Sequence, residues 1–349
     1  MDVGTLLFRL LNVYSPSGQE SRLEPLMREF SRELAYDEFE RDTVGNYVFK
    51  KGSGDRVIML AGHVDTIPGE LNVSRSEDSV SGRGAVDAKG PFAAMLKAGS
   101  DVEVKNSTLV VMGLVDEEGA GTGALSLLER RPRIDHIIIG EPTGVTGVAI
   151  SYRGSLTVMI SAKGRGGHSS APYMGDSALD KLLDALYDVR TIFNGRRYEE
   201  ETSAITVLKA GDWPSKLPEY AEAIVNIRFP PSAQLSNIVS KLESITSLHE
   251  CTLSVLDSTE PYSSSVSSPV PRALVRGLIM NGQRPKIVKK TGSSDMNVLF
   301  KLTRDIAAYG PGNSLLAHTN YEKVSLKDLE LAVRVIRSAV SELDRGHLG

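Results

Sequence analysis

Three apolar runs in the sequence end in residues that can ligate a metal or move a proton. Residues 57–61 lead through Gly62 to His63 and Asp65, residues 107–115 into Asp116-Glu117-Glu118-Gly119, and residues 136–139 into Gly140-Glu141-Pro142. Each run is continuously apolar rather than alternating, as in a parallel strand buried on both faces. The carboxyl edge of such a sheet is where α/β proteins bind ligands. The aspartate at i+2 from His63 lies on the same side of an extended chain, near enough to fix the imidazole. Three successive carboxylates after a buried strand are expensive unless solvated or bound to something positive. Asp87 on a neighbouring loop and His318 late in the chain extend the set. Histidines and carboxylates without cysteine are the ligands of a hydrolytic zinc site or a similar divalent centre. One metal needs three protein ligands, and two sharing a bridging carboxylate need about five. His63, Asp87, Glu118, Glu141 and His318 supply that number. Glu117, beside a ligand but outside the count, is then the natural general base.

The elements that must position these groups follow in order. Residues 3 to 13 and 20 to 34 have amphipathic helical spacing around the loop Ser15-Pro16-Ser17-Gly18, and a strand pair is expected at 37 to 50. The site strand covers 57 to 64, and the loop from Ser81 to Pro91 leads into a helix over 92 to 99, with Pro91 suited to its first position. Gly82 and Gly84 invite a dinucleotide-loop reading, but no strand directly precedes them and the third glycine position holds Asp87. From Ser151 the pattern changes to a strand at 156–160, a helix at 176–193, strands at 204–209 and 221–229, a helix at 232–247 and a strand at 252–256. This β-α-β-β-α-β order is ferredoxin-like. His168 lies in its Gly164 to Pro172 loop and, taken alone, reads as a loop histidine beside a glycine-rich turn. After a turn-rich return come a helix at 270–280, a strand near 286–289, the loop Thr291 to Asp295, a strand at 305–309, Gly310-Pro-Gly312 and a last helix N-capped by Ser325, with Asp328 three positions on. The smaller domain, 151–258, is thus inserted into an α/β domain formed by 1–150 and 259–349.

The bulk properties fit this division. A chain of 349 residues exceeds one ordinary core, and 41% hydrophobic with 24% charged residues is ordinary for a globular protein. The net charge of -4 gives no sign of a nucleic-acid partner. The single Cys251 excludes an internal disulfide, fits a reducing compartment and reads as a small hydrophobe. No apolar run reaches the roughly 18 residues needed to span a bilayer. Asp2 followed by Leu6, Leu7, Leu10 and Leu11 at helical spacing does not resemble a signal peptide. A cytoplasmic protein without membrane contact is expected.

Together, His63-Val-Asp65, Gly82-Arg-Gly-Ala-Val-Asp87-Ala-Lys-Gly90, Asp116-Glu117-Glu118-Gly119, Gly140-Glu141-Pro142, Gly167-His168-Ser169 and His318 resemble the di-zinc aminoacylase/carboxypeptidase family, which includes acetylornithine deacetylase and succinyl-diaminopimelate desuccinylase. The match runs in order over nearly the whole chain. It implies a metallopeptidase-like catalytic domain with a mixed sheet and an inserted ferredoxin-like α+β lid and dimerisation domain. Asp87 would bridge two zinc or cobalt ions, with His63 and Glu141 completing one site and Glu118 and His318 the other. Asp65 would orient His63, Glu117 would be the base, and the Asp87–Ala88 peptide would be cis. His168 would reach the partner's active site in a homodimer and stabilise the tetrahedral oxyanion. Arg228 would clamp a substrate carboxylate, with Ser293 and Gly312 as further substrate contacts.

Within that family, residues 82–91, Thr291-Gly-Ser-Ser-Asp-Met296 and Ala308-Tyr-Gly-Pro-Gly312 are most similar to the lysine-biosynthesis subgroup. Its members hydrolyse a linear amide bond to release lysine or ornithine from an acidic amino-group carrier protein, serving lysine and arginine biosynthesis. Ala317 departs from the aspartate expected before His318 there. The window 281–290 holds Arg284, Lys286, Lys289 and Lys290 and no acid, a docking edge for such a partner. The alternatives are a small N-acyl amino acid deacylase acting on acetylornithine, acetyl-lysine or succinyl-diaminopimelate, a dipeptidase, and a non-catalytic metal-binding relative.

Overall fold

The computed structural model describes residues 1–346, which fall into two compact units. The first contains residues 1–151, 264–289 and the chain from 294 onward; the second contains 152–263 and 290–293.

The first unit is built on a mixed sheet. Its strands run in the spatial order Glu38–Arg41, Tyr47–Lys51, Ser107–Leu114, Arg56–His63, His136–Ile139, Ile306–Ala308 and Gly147–Tyr152. Arg56–His63 pairs in parallel with Ser107–Leu114 and with His136–Ile139, and Ile306–Ala308 continues the parallel set. Four carboxyl ends therefore open on one edge, with His63 level with Leu114 and Ala61 level with Ile139. One face of these strands is packed in the core: Ile58, Leu60, Leu109, Val111 and Ile138 join the helices Val3–Leu11, Lys89–Asp101, Pro269–Met280 and Leu326–Arg345, while Val57, Thr108 and Val110 on the other face are half-buried. Packing is close at Gly113, where an added Cβ would lie 2.9 Å from Val64 Cγ1 and 3.0 Å from Phe92 Cζ.

The second unit is a four-stranded antiparallel sheet in the order Thr202–Ala210, Tyr220–Phe229, Gly154–Lys163 and Cys251–Thr259. Helices Ala178–Ile192 and Leu235–Leu248 bury one face of it, and Tyr220–Phe229 alternates buried and half-buried residues accordingly. This is the β-α-β-β-α-β order expected from the sequence, and the α/β fold with a ferredoxin-like insertion holds.

Several local expectations shift. The helix over 92–99 extends over Lys89–Asp101, with Pro91 inside its first turn, where an amide hydrogen has no helical acceptor to lose. The stretch 20–34 divides into the 3₁₀ turn Glu20–Leu23 and the helix Glu24–Glu33, with Pro25 at the start of the latter. Ser325 occupies the N-cap position, but its side chain makes no cap; the Leu326 amide donates instead to the Asp78 carbonyl at 2.8 Å.

Candidate metal centre

The parallel strands bring His63, the Asp116 to Glu118 turn and Glu141 to one edge of the sheet. The loop before helix Lys89–Asp101 adds Asp87, and the chain after the 3₁₀ turn Ser314–Leu316 adds His318. His63 Nε2 lies 3.3 Å from Asp87 Oδ1; His318 Nε2 lies 3.4 Å from Asp87 Oδ2 and 2.7 Å from Glu118 Oε1. Ligand atoms of His63, Asp87 and Glu141 all fall within 4.8 Å of one another, as do those of Asp87, Glu118 and His318. One oxygen of Asp87 thus faces each group, the geometry of a bridging carboxylate. Glu117 Oε2 is 3.9 Å from His63 Nε2, beside these groups. The Asp87–Ala88 peptide is cis, as the resemblance implies.

The electrostatics show a site short of positive charge. Burial opposes protonation of His63, but hydrogen bonding to Asp65 and Asp87 and the charge of Glu117 outweigh it and raise its pKa well above the ordinary histidine range. His318 is pushed up to about 9, chiefly by its hydrogen bond to Asp87, against burial and with help from Glu118. Burial works to raise Asp87, yet the two imidazoles hold it below the usual carboxylate range. Glu117 is raised well above the glutamate range, first by burial and then by the charges of Asp295, Glu141 and Glu118, with His63 opposing. Metal uptake at neutral pH must therefore displace protons, and affinity is expected to rise with pH through about 9, the range in which His318 loses its proton. Proton release during zinc titration at pH 7 would show this; an affinity unchanged between pH 7 and pH 9 would contradict it.

Support comes from residues far away in sequence. His63 Nδ1 faces the Asp65 carbonyl at 3.1 Å and its carboxylate at 3.4 Å. The Asp65 carboxylate also accepts the amides of Glu117 and Glu118 at 3.2 and 3.0 Å and the Ser17 hydroxyl at 2.7 Å. Asp65 therefore positions the acidic turn as well as the histidine. Glu20 Oε1 accepts the amides of Gly18 and Asp116, both at 3.0 Å, helping to hold Asp116 at φ 62. Asp295 is buried beside the centre, its carboxyl pushed up to about 7 by burial, against the charge of His63. Glu20 carried no sequence signal, because an acid inside a helical pattern reads as surface, and Asp295 stood out only as part of the Thr291 to Met296 motif, with no role assigned to it.

The remaining predicted residues lie elsewhere. Gly312, at φ 99, packs against Val86 and Pro142, neighbours of Asp87 and Glu141. In the second unit, Arg228 donates through Nε to Asn226 Oδ1 at 3.0 Å and through Nη1 to Ser293 Oγ at 3.3 Å, so Arg228 and Ser293 meet. His168 is exposed on the two-residue strand Gly167–His168. Its Nδ1 accepts the Ser170 amide at 3.1 Å, which places the proton of the neutral ring on Nε2.

Residues 59–342 match the peptidase family M20/M25/M40, and the chain belongs to that family. A protein of Aeropyrum pernix provisionally named LysW-lysine/LysW-ornithine hydrolase is 42% identical over 95% of this chain and 93% of its own. The LysW-lysine/LysW-ornithine hydrolase of Sulfurisphaera tokodaii is 33% identical over 97% of this chain and 94% of its own. Among solved structures, a tripeptidase from Staphylococcus aureus shares the fold, with a TM-score of 0.85 over 98% of each chain at 17% identity. The family resemblance read from the sequence holds.

Proposed function

We propose that the protein is a metal-dependent amidohydrolase that releases lysine or ornithine from an amino-group carrier protein of the LysW kind, in lysine and arginine biosynthesis. The observation that carries the reading is the Asp87 carboxylate, with one oxygen turned to the His63 group and the other to the His318 group. The donor set fits two divalent ions: it holds imidazole and carboxylate without sulfur, and of the three groups of three whose ligand atoms lie close together, two share Asp87 while the third joins His63 to Glu117 and Glu118. Protonated His63 and His318 supply the positive charge that these carboxylates demand, where a cation would otherwise do so. His63, Asp87 and Glu141 would hold one ion, and Asp87, Glu118 and His318 the other. Zn²⁺ suits these ligands, and Co²⁺ is the alternative.

Such ions, when bound, supply Lewis acidity toward a carbonyl and lower the pKa of a water. The chain's own groups do the rest. Glu117, half-buried and raised in pKa, takes the proton from the attacking water and returns it to the leaving amine as the C–N bond breaks. Asp65 fixes the Glu117 amide, so the base keeps its place while it gains and loses the proton. His168, with its proton on Nε2, is a donor suited to a developing oxyanion, contributed by the partner copy in a homodimer formed through the inserted unit. Arg228, held by Asn226 and Ser293, offers a guanidinium to the carboxylate of the released amino acid, and Gly312 leaves room beside Val86 and Pro142.

The names of the relatives support the carrier-linked substrate. The window expected to dock an acidic carrier includes the strand Lys286–Lys290, on which Lys286 and Lys289 are exposed. Among the described residues, no helix is long and apolar enough to cross a membrane. A chelator-stripped protein incubated with carrier-linked lysine is expected to release no free lysine and to regain activity when Zn²⁺ or Co²⁺ is restored. Full release from stripped protein would overturn the reading.

A further inference from the structure

Glu322 is almost fully buried, at 2% exposure, and no step above uses it. Its Oε1 accepts from Arg83 Nη1 at 2.7 Å. Its Oε2 accepts the backbone amides of Gly84, Val86 and Asp87 at 3.0, 3.2 and 3.4 Å, and its own carbonyl accepts the Gly82 amide at 3.2 Å. Amides curled around one carboxylate make an anion nest, here filled from within the chain. The curl needs glycine: Gly84 sits at φ 89, and a Cβ there would lie 2.8 Å from Thr66 Cγ2.

The other half of the pair reaches the opposite loop. Arg83 donates through Nε to the Gly69 carbonyl and through Nη1 to the Thr319 carbonyl, both at 2.8 Å. Thr319 follows His318, which is itself at φ 63. Strand Lys323–Ser325 pairs antiparallel with Ser79–Ser81 and brings the two loops side by side. The ion pair then fixes them in detail, one end on the amide of Asp87 and the other on the residue after His318. A buried pair stabilises when its hydrogen-bonding positions are filled, and here Nε and Nη1 of Arg83 and both carboxylate oxygens of Glu322 have partners.

We propose that Glu322 and Arg83 form a positioning pair for the metal centre. They hold the Asp87 and His318 loops in the one arrangement in which carboxylate and imidazole meet the same ion. This rests on the di-metal reading and adds to it the residues that set metal affinity without ligating. Neither can be replaced by its nearest analogue. A glutamine at 322 has one carbonyl oxygen and must leave either the amide nest or Arg83 without an acceptor. A lysine at 83 keeps the charge but loses the fork to Gly69 and Thr319.

The test is calorimetric titration of metal-free protein with Zn²⁺, comparing wild type, Glu322→Gln, Arg83→Lys and, as control, Glu342→Gln, which loses only a surface pair with Arg276. Circular dichroism follows the fold. For Glu322→Gln, zinc affinity at one equivalent or both is expected to fall by about 10–100-fold, the usual effect of removing a group that orients a ligand. Turnover should recover toward wild type as zinc is raised, which a general loosening of the fold would not allow. The control should match wild type. Folded Glu322→Gln that binds two equivalents with wild-type affinity would overturn the proposal; if that variant does not fold, Arg83→Lys decides by the same criterion. Wild-type protein that takes up no zinc would instead remove the di-metal reading, and the proposal with it.

Discussion

Glu117→Gln is expected to leave fold and metal uptake intact while lowering turnover on carrier-linked lysine by about 10²–10⁴-fold, the range of a lost general base. The amide keeps the size of the carboxylate but cannot accept the water proton. The Glu117 backbone amide still donates to Asp65, so the acidic turn should hold its shape. Because desolvation and then its acidic neighbours raise the pKa of this half-buried carboxyl, the substitution also removes a charge that the metal-free site tolerates poorly, so the melting temperature without metal should not fall. Single-turnover measurements on metal-loaded protein would read the chemical step directly. Turnover within about tenfold of wild type would remove Glu117 from the role, since proton transfer contributes more than that.

Asp87→Asn should be more severe. The Asp87 carboxylate serves both ligand groups, with Oδ1 toward His63 and Oδ2 toward His318. An amide has one oxygen and no charge, so it cannot join two cations. Bound metal is expected to fall from two equivalents to one or none. Turnover should fall by about 10⁴-fold or more, because proton transfer and charge stabilisation, each worth at least about 10²-fold, are lost together. Elemental analysis of the dialysed variant beside the wild type gives the first figure. Two retained equivalents would show that Asp87 does not bridge.

Both predictions concern residues that the sequence made visible. His63, Glu117, Glu118 and Glu141 were legible because each follows a buried parallel strand, and the register of those strands leaves their carboxyl ends no choice but to converge. Asp87 and His318 lie on loops without a strand to announce them, and their roles rested on the order of several motifs. What holds these groups was hidden. Glu322 meets Gly84, Val86 and Asp87 across more than two hundred residues, and Glu20 meets Asp116 across nearly a hundred. Such pairs obey no local period, and a buried acid looks the same in sequence as an exposed one. The second unit shows the same contrast. Its strands could be read from alternation, while the meeting of Arg228 and Ser293 depends on a four-residue stretch, 290–293, that clusters with that unit although it follows the return to the first.

The most direct measurement incubates metal-loaded protein with carrier-linked lysine, carrier-linked ornithine, acetyl-lysine, acetylornithine and succinyl-diaminopimelate, and reads free amine release from each. Faster release from a carrier-linked substrate, by kcat/KM, is the predicted result. Faster release from a small acyl amino acid would contradict the carrier-protein assignment and leave a deacylase of the same di-metal chemistry.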